Sequence, residues 1–95
     1  MAWVHVMRAE EATWDDYAKV AQELGNEPAD GLLHQYAGEV DGHWASVSVW
    51  ESMDAFERFR TERLLPAVSR ALGEEMAAGP PPPGYWYEVR HSFGT

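Results

Sequence analysis

Three histidines, His5, His34 and His91, fall in segments of this 95-residue chain whose alternation is typical of β-strands. An imidazole exchanges a proton near neutral pH, so each of the three is a candidate general acid or base. Alternation along the three predicted strands places all three histidines on the same face of one sheet. Tyr36 falls on this face too, and its phenol can hold an oxyanion. The sequence therefore predicts a catalytic group made of His5, His34, His91 and Tyr36.

The stretch HWASVSVW, residues 43–50, predicts a pocket on the same face. Its alternation places Ser46 and Ser48 between indoles on one side of a strand and valines on the other. Buried hydroxyls cost free energy unless they find partners, and small side chains opposite large ones leave volume unfilled. Either the serines line a cavity, or they hydrogen-bond locally beneath large neighbours. The residues expected to bind a substrate in the cavity are Trp3, Met7, Ser46, Ser48, Trp50, Phe56, Phe59, Arg63 and Tyr87.

Aromatic residues make up 13% of the chain, which suits a flat, hydrophobic ligand. Indole rings can stack on such a ligand and phenols can hydrogen-bond to its oxygens. Arg63 lies seven residues beyond Phe56, hence on the same helical face, where it can pair with a carboxylate or an enolate. The alternative for Arg63 is a solvated arginine bonded to acidic neighbours.

Composition excludes several classes of function. Seven basic against sixteen acidic residues give a net charge of −9, which repels nucleic acid and anionic membranes. The chain has no cysteine and no close histidine spacing of a zinc site, so we expect no metal. It has no glycine-rich phosphate loop and no Ser-His-Asp order, so we expect neither nucleotide binding nor covalent acyl chemistry, and no cofactor. The chain shows no signal-peptide pattern and no apolar run near the roughly 20 residues of a membrane span, so we expect a cytoplasmic protein.

Capping and turn residues divide the chain into six elements. Thr13 is a predicted N-cap, Gly25 ends its helix, and Asp41-Gly42 is a strong hairpin signal. Ser52 caps a second helix, which Pro66 should bend or restart. The predicted strands cover residues 3–7, 32–40, the stretch 43–52 and 85–92, and the predicted helices cover 14–24 and 53–72.

The order strand, helix, strand, strand, helix, strand predicts an α+β fold, the ferredoxin-like βαββαβ arrangement with a four-stranded antiparallel sheet, as a single domain over residues 1–95. Right-handed crossovers put both helices on one face of the sheet. The other face is aliphatic apart from Gln35, and a bare apolar face of this extent favours self-association. The sequence thus predicts a homodimer through Val4, Val6, Leu33, Val47 and Val49.

The stretch VWES at residues 49–52, followed by AF at 55–56 and by the helix ERFRTERLLPAV at 57–68, resembles the antibiotic biosynthesis monooxygenase family of the dimeric α+β barrel superfamily. The resemblance implies a homodimer whose two sheets close into a barrel. It also implies a pocket between each sheet and its helices. Members of these families include cofactor-independent oxygenases of polyketide-like aromatics, haem-degrading enzymes and polyketide cyclases.

The resemblance leaves three functions open. The first is cofactor-independent oxygenation of an aromatic or polyketide-type molecule in natural-product biosynthesis. The second is a polyketide cyclase, in which His5 matches a histidine of the first strand, but the family's second histidine has no counterpart between Met53 and Ala78. The third is a non-catalytic dimer that binds a small ligand or has a structural role. Haem degradation is disfavoured because Phe59 and Arg70 stand where that branch has a tryptophan and a histidine.

Overall fold

The computed structural model describes residues 2–93. These residues include one four-stranded antiparallel sheet, in the order β2-β3-β1-β4. The strands are β1 (Trp3–Thr13), β2 (Leu32–Val40), β3 (His43–Trp50) and β4 (Gly84–Glu88). The helices are α1 (Trp14–Leu24), α2 (Met53–Phe59), α3 (Leu65–Leu72) and α4 (Glu74–Ala78), and a π-helical segment, Arg60–Leu64, joins α2 to α3. The predicted ferredoxin-like α+β fold is confirmed. None of the helices within residues 2–93 has the length and apolar character that a membrane crossing needs.

Helix α1 begins and ends where the capping residues predict. The Thr13 hydroxyl accepts the Asp16 N–H at 3.2 Å, and the Asp16 carboxylate accepts the Thr13 N–H at 3.0 Å. This reciprocal capping box satisfies two N–H groups that a helix start leaves without partners. At the other end, Gly25 takes a φ of 77° that favours glycine, and its N–H donates to the Ala21 carbonyl.

The second predicted helix is continuous in direction but irregular. The Ser52 hydroxyl accepts the Ala55 N–H at 3.1 Å and so caps α2. Pro66 has no N–H to give to a carbonyl one turn earlier, and the preceding turn widens into the π-helical segment. The sequence predicts the irregularity at Pro66, and the structure shows it one turn upstream. Helix α4, beyond Gly73, was not predicted.

The boundaries of the first and the last strand differ from the prediction. β1 continues to Thr13, with an irregularity in its pairing with β3 between Arg8 and Thr13. β4 ends at Glu88, so residues 89–92 lie outside the sheet. The predicted hairpin is confirmed, because Asp41 and Gly42 have φ values of 51° and 83°, as a two-residue turn with two positive φ angles requires.

A β-bulge near the start of β2 changes which side chains face the helices. Leu32 pairs with Trp50, but His34 pairs with Val49, so one extra residue, Leu33, is accommodated between them. Beyond the bulge, alternation places Gln35 and Ala37 on the helix-facing side. The regular alternation predicted for β2 is therefore wrong from His34 onward.

The hydrophobic core lies between the sheet and the helices. Trp50 is 2% exposed and packs with the buried residues Ala29 and Ala55. Partly buried side chains surround this centre, namely Leu32, Phe56, Phe59 and Trp86. Helix α1 packs along α3, so both predicted crossovers bring their helices to one layer. No helix within residues 2–93 packs on the opposite face of the sheet, which we call the open face.

Candidate functional site

Five rings from three strands and α2 pack together on the helix-facing side of the sheet, and we call them the His5 cluster. His5 stacks on Trp86 with ring centroids 4.2 Å apart, and Phe56 meets both rings edge-on at 4.7 and 5.2 Å. Trp50 contacts Phe56 at 5.4 Å and Phe59 at 5.5 Å. These separations are those of offset and edge-to-face aromatic pairs in protein cores.

The imidazole at the centre of the His5 cluster has an unusual environment for a polar group. His5 is 9% exposed, and its Nδ1 atom is buried with no hydrogen-bond partner among the residues that the structure describes. Burial penalises the charged form and lowers the pKa of His5 below its ordinary value of 6.5. His5 is therefore a neutral imidazole at pH 7, with one ring nitrogen able to donate a hydrogen bond and the other able to accept one.

The two serines of β3 are buried on the same side of the sheet. The Trp50 indole N–H donates to the Ser48 hydroxyl at 2.9 Å. Ser48 lies directly opposite His5 across the β1–β3 pairing, and Ser46 lies opposite Met7. The local hydrogen-bonding alternative from the sequence is thus realised at Ser48.

The predicted hollow between sheet and helices is filled at the His5 cluster. Phe56 and Trp86 are in van der Waals contact with the His5 ring, so no gap for a further ring separates them. The prediction underestimated how far large aromatic side chains occupy the volume that small serines leave. A ligand ring can stack on the His5 imidazole in place of Trp86 or Phe56 only if β4 or α2 moves relative to β1.

Several predicted site residues do lie on the helix-facing side. Trp3 pairs with Trp50 and Met7 with Ser46, so both share the side of His5, as predicted. Phe56 and Phe59 belong to the His5 cluster itself. The helix-facing surface therefore unites most of the residues proposed to bind a substrate.

Three predicted site residues lie on the open face instead. The bulge in β2 turns His34 and Tyr36 away from the helices, and Tyr36 is 69% exposed. Tyr87 pairs with Val4 and shares its open-face position. The assignment of these three side chains to the pocket is wrong because the parity of β2 and β4 was misjudged.

His91 lies apart from the other histidines. It follows the end of β4, is exposed, and stacks loosely on Phe93 with centroids 6.5 Å apart. The predicted position of His91 required β4 to continue through residue 91. The strand ends at Glu88 instead, so alternation within the sheet does not apply to His91. The prediction that His91 joins a common catalytic group is therefore wrong.

Arg63 is held by backbone carbonyls. Its guanidinium donates to the carbonyls of Leu24, Glu27 and Pro28 at 3.4, 2.8 and 3.2 Å. The same group lies 5.5 Å from the centre of the Phe59 ring. Arg63 thus fastens the loop between α1 and β2 onto the π-helical segment, which is a structural role that neither alternative from the sequence anticipated.

Trp86 is the main residue of the cluster that the sequence did not reveal. The run Tyr85-Trp86-Tyr87 is aromatic at every position, so its composition does not indicate which parity faces the helices. The pairing of Trp86 with His5 settles this, because cross-strand partners project from the same side of the sheet.

The open face has its own apolar recess. Val6, Tyr36, Ala45 and Val47 are among the residues that line a shallow space of about 360 Å³ across the three strands β1, β3 and β2. A second recess of about 240 Å³, near Arg58 and Glu62, lies beside the loop that Arg63 holds. His5 lines neither recess.

No family model matches the sequence, and no curated protein matches it. Solved structures do match the fold over nearly the whole chain. SnoaB, a cofactor-independent oxygenase from Streptomyces nogalater, has a TM-score of 0.58 and 17% identity, with 99% of this chain and 96% of SnoaB covered.

Two further structures are similar. A monooxygenase from the gene ActVA-Orf6 of Streptomyces coelicolor, solved with the ligand nanaomycin D, has a TM-score of 0.55 and 17% identity over 99% of this chain and 90% of its own. A candidate antibiotic biosynthesis monooxygenase from Deinococcus radiodurans has a TM-score of 0.56 and 20% identity over 100% and 98%. At these identities the likeness establishes the fold, which is the one that the sequence resemblance implied.

Proposed function

We propose that this chain is a cytoplasmic, homodimeric and cofactor-independent oxygenase of a flat aromatic or polyketide-type molecule in natural-product biosynthesis. The observation that carries the proposal is the buried imidazole of His5, a titratable group whose pKa is lowered by burial and whose neighbours are aromatic rings. Titratable groups with perturbed pKa values cluster at functional sites.

The comparisons support this choice of reaction. SnoaB is by its name a cofactor-independent oxygenase, and the Streptomyces coelicolor monooxygenase binds nanaomycin D. Both share the fold of this chain over nearly its full length. A fold can host several functions, so the residues of the site must carry the argument.

The proposed reaction needs electrons from the substrate alone. The enol tautomer of an aromatic substrate with an activated methylene loses its hydroxyl proton to solvent, and the methylene carbon of the resulting anion reacts with dioxygen to form a carbon–oxygen bond. One oxygen atom remains in the product as a carbonyl, and the other leaves as water with the two methylene hydrogens. The substrate loses four electrons and dioxygen gains four. In this proposal His5 contacts the ionising hydroxyl, and Trp86, Phe56 and Trp50 pack against the rings of the substrate.

In the proposed reaction the His5 cluster opens to admit the rings of the substrate. The π-helical segment directly follows α2, and such segments are a frequent irregularity at functional sites. We propose that α2 moves away from β1 at this segment, so that the substrate replaces the Phe56 contact with His5.

The open face supports the homodimer in the proposal. Leu33 and Val47 are 45% and 37% exposed, and Tyr36, Tyr85 and Tyr87 are exposed at least as much. The bulge in β2 removes Gln35 from this face, which leaves its centre without the polar residue that the sequence predicted there. Val4 on this face is already buried within one copy, at 5% exposed. We propose that a second copy covers Val6, Leu33, Val47 and Val49 around it.

The test is oxygen uptake by the purified full chain with hydroxylated anthrones and related polycyclic phenols that carry an activated methylene. We expect uptake with at least one compound, transfer of one ¹⁸O atom from labelled dioxygen to the product, and loss of activity in His5→Phe. His43→Gln is the matched control, because His43 lies outside the cluster and bonds to the Ala12 carbonyl through Nδ1 at 3.1 Å. Activity that survives in His5→Phe contradicts the proposal, and ring closure without oxygen uptake identifies a cyclase.

A non-catalytic dimer is the second candidate. The observation that favours it is the filled His5 cluster, whose rings already contact one another without a ligand. Quenching of tryptophan fluorescence by the same phenols under nitrogen separates the two. Binding without turnover in air supports a ligand-binding protein, and the absence of any binding supports a structural role.

A further inference from the structure

Two groups with unused hydrogen-bonding capacity face each other across the sheet. His5 on β1 and Ser48 on β3 are directly opposite residues, 9% and 6% exposed, on the helix-facing side. The Cβ atoms of such a pair in antiparallel strands lie about 4.5–5.5 Å apart, so their side chains can touch.

The hydrogen-bond inventory of the pair is complementary. The Ser48 oxygen accepts the indole N–H of Trp50, which leaves its hydroxyl hydrogen to donate, and within residues 2–93 that hydrogen has no acceptor. The Nδ1 atom of His5 is buried and lacks a partner in the same part of the chain. Each unused group is the kind that the other needs.

We infer that Ser48 is the positioning residue of His5: oriented by the Trp50 indole, its hydroxyl donates to Nδ1 of His5 and fixes the proton of the neutral imidazole on Nε2. The structure shows no hydrogen bond between the two groups, so the inferred bond needs a rotation of one of the two side chains. A hydroxyl that accepts a hydrogen bond is polarised and donates more strongly, which favours this direction.

The reverse arrangement satisfies fewer groups. If Nδ1–H donated to Ser48, the oxygen would accept two hydrogen bonds, and the hydroxyl hydrogen would stay buried without an acceptor. An unsatisfied buried donor costs about 1–3 kcal/mol in general. The pairing with Nδ1 as acceptor leaves no such hydrogen.

The consequence for chemistry rests on the proposed function, whereas the position of the proton does not. With Nε2 protonated, His5 presents an N–H to the substrate and stabilises its oxyanion while it reacts with dioxygen. This role differs from the general base that the sequence predicts. Ser48 touches no substrate in this scheme and acts through His5.

The test is the ¹⁵N spectrum of the imidazoles in the full chain, labelled on histidine, at neutral pH and without ligand. The His5 signals are assigned by their loss in His5→Phe. We expect Nε2 to be protonated and Nδ1 to be an unprotonated, hydrogen-bonded nitrogen. A proton on Nδ1, or fast exchange between the two tautomers, overturns the inference.

Variants test the part played by Ser48. In Ser48→Ala we expect the two ¹⁵N shifts of His5 to move toward each other as the preference is lost, and in Ser48→Thr, which keeps the hydroxyl, we expect them to return. Ser46→Ala removes a hydroxyl buried on the same strand face and should leave the His5 signals in place. Unchanged His5 shifts in Ser48→Ala, or equal shifts in Ser46→Ala, contradict the assignment.

This experiment separates the inference from the proposed function, because it uses no substrate. The expected spectra without any oxygen uptake would leave the role of Ser48 intact and remove the oxygenase. Oxygen uptake lost in His5→Phe, together with a proton on Nδ1, would keep the oxygenase and remove Ser48.

Discussion

The imidazole of His5 lies flat against the indole of Trp86, with ring planes 7° apart and centroids 4.2 Å apart. The two residues are opposite each other in the β1–β4 pairing, so the backbone holds the rings in register. Phe56 of α2 meets both rings edge-on and thereby links the sheet to the helix. This stack both stabilises the fold and encloses the proposed site.

Trp86→Ala should lower the free energy of unfolding by about 2–3 kcal/mol, because a half-buried indole and its stacking partner are lost. Phe93→Ala is the control, since Phe93 is 96% exposed and its removal should change stability by less than about 0.5 kcal/mol. Urea unfolding with linear extrapolation measures both values. Similar losses in the two variants would show that the stack contributes little.

The stability of the chain should decrease as the pH falls below about 6.5, since burial lowers the pKa of His5 in the folded state. In the window between the unfolded and the folded pKa, the unfolded chain binds the proton and the folded chain does not. The stability that neutral His5 allows is therefore fully present above the pKa of the unfolded chain. It is lost as the pH falls toward the lower pKa of the folded chain. His5→Phe keeps an aromatic ring against Trp86 and should show a shallower decrease between about pH 7.5 and 5.

Urea unfolding at several pH values gives both slopes. The histidines outside the cluster remain in both proteins, so the difference between the slopes reports His5. Equal slopes would contradict burial of a neutral imidazole.

Val47→Asp should convert the proposed dimer into a monomer, because it places a charge at the centre of the open face and repeats it in the second copy. Met76→Asp is the matched control, since Met76 is exposed to a similar degree but lies on α4. Sedimentation equilibrium distinguishes a mass of 10.7 kDa from twice that value. A monomeric wild-type chain at micromolar concentration would contradict the proposed dimer directly.

Arg63→Ala should destabilise the chain by about 1–3 kcal/mol, because the carbonyl at the end of α1 and two carbonyls of the loop between α1 and β2 lose a charged donor. Gly31 in this loop has a φ of 84°, and a Cβ there would lie 2.6 Å from the Ala55 side chain, so the loop lies closely on α2. Arg58→Ala changes an exposed arginine of α2 and should have little effect. Thermal unfolding followed by circular dichroism compares the two variants, and an equal effect would remove the structural role of Arg63.

Local signals in the sequence predicted most of the fold. Thr13, Gly25 and Ser52 act through hydrogen bonds or backbone angles within a few residues, and Asp41-Gly42 specifies its turn by itself. The candidate site was harder to predict because it depends on parity. The bulge at Leu33, which no sequence signal indicates, exchanges the faces of the side chains that follow it in β2. In β4, Tyr85, Trp86 and Tyr87 are all aromatic, so their composition does not show which of them faces the helices.

Within the site, the sequence placed His5 correctly and misplaced its partners. His5 follows from alternation in β1, a strand without irregularity as far as Arg8. His34, Tyr36 and Tyr87 depend on strands whose register is set by long-range pairing, which no short pattern specifies. The function of Arg63 depends on where the loop before β2 lies, and that is also a tertiary property.

The bulge at Leu33 makes the pairing of β2 with β3, rather than the composition of β2, the determinant of what each side of the sheet displays. A regular ladder with Leu33 opposite Val49 would return Gln35 to the exterior and turn His34 and Tyr36 inward, with no change of sequence. A one-residue change of register thus offers a route by which proteins of this shape can trade an adhesive surface for a reactive interior.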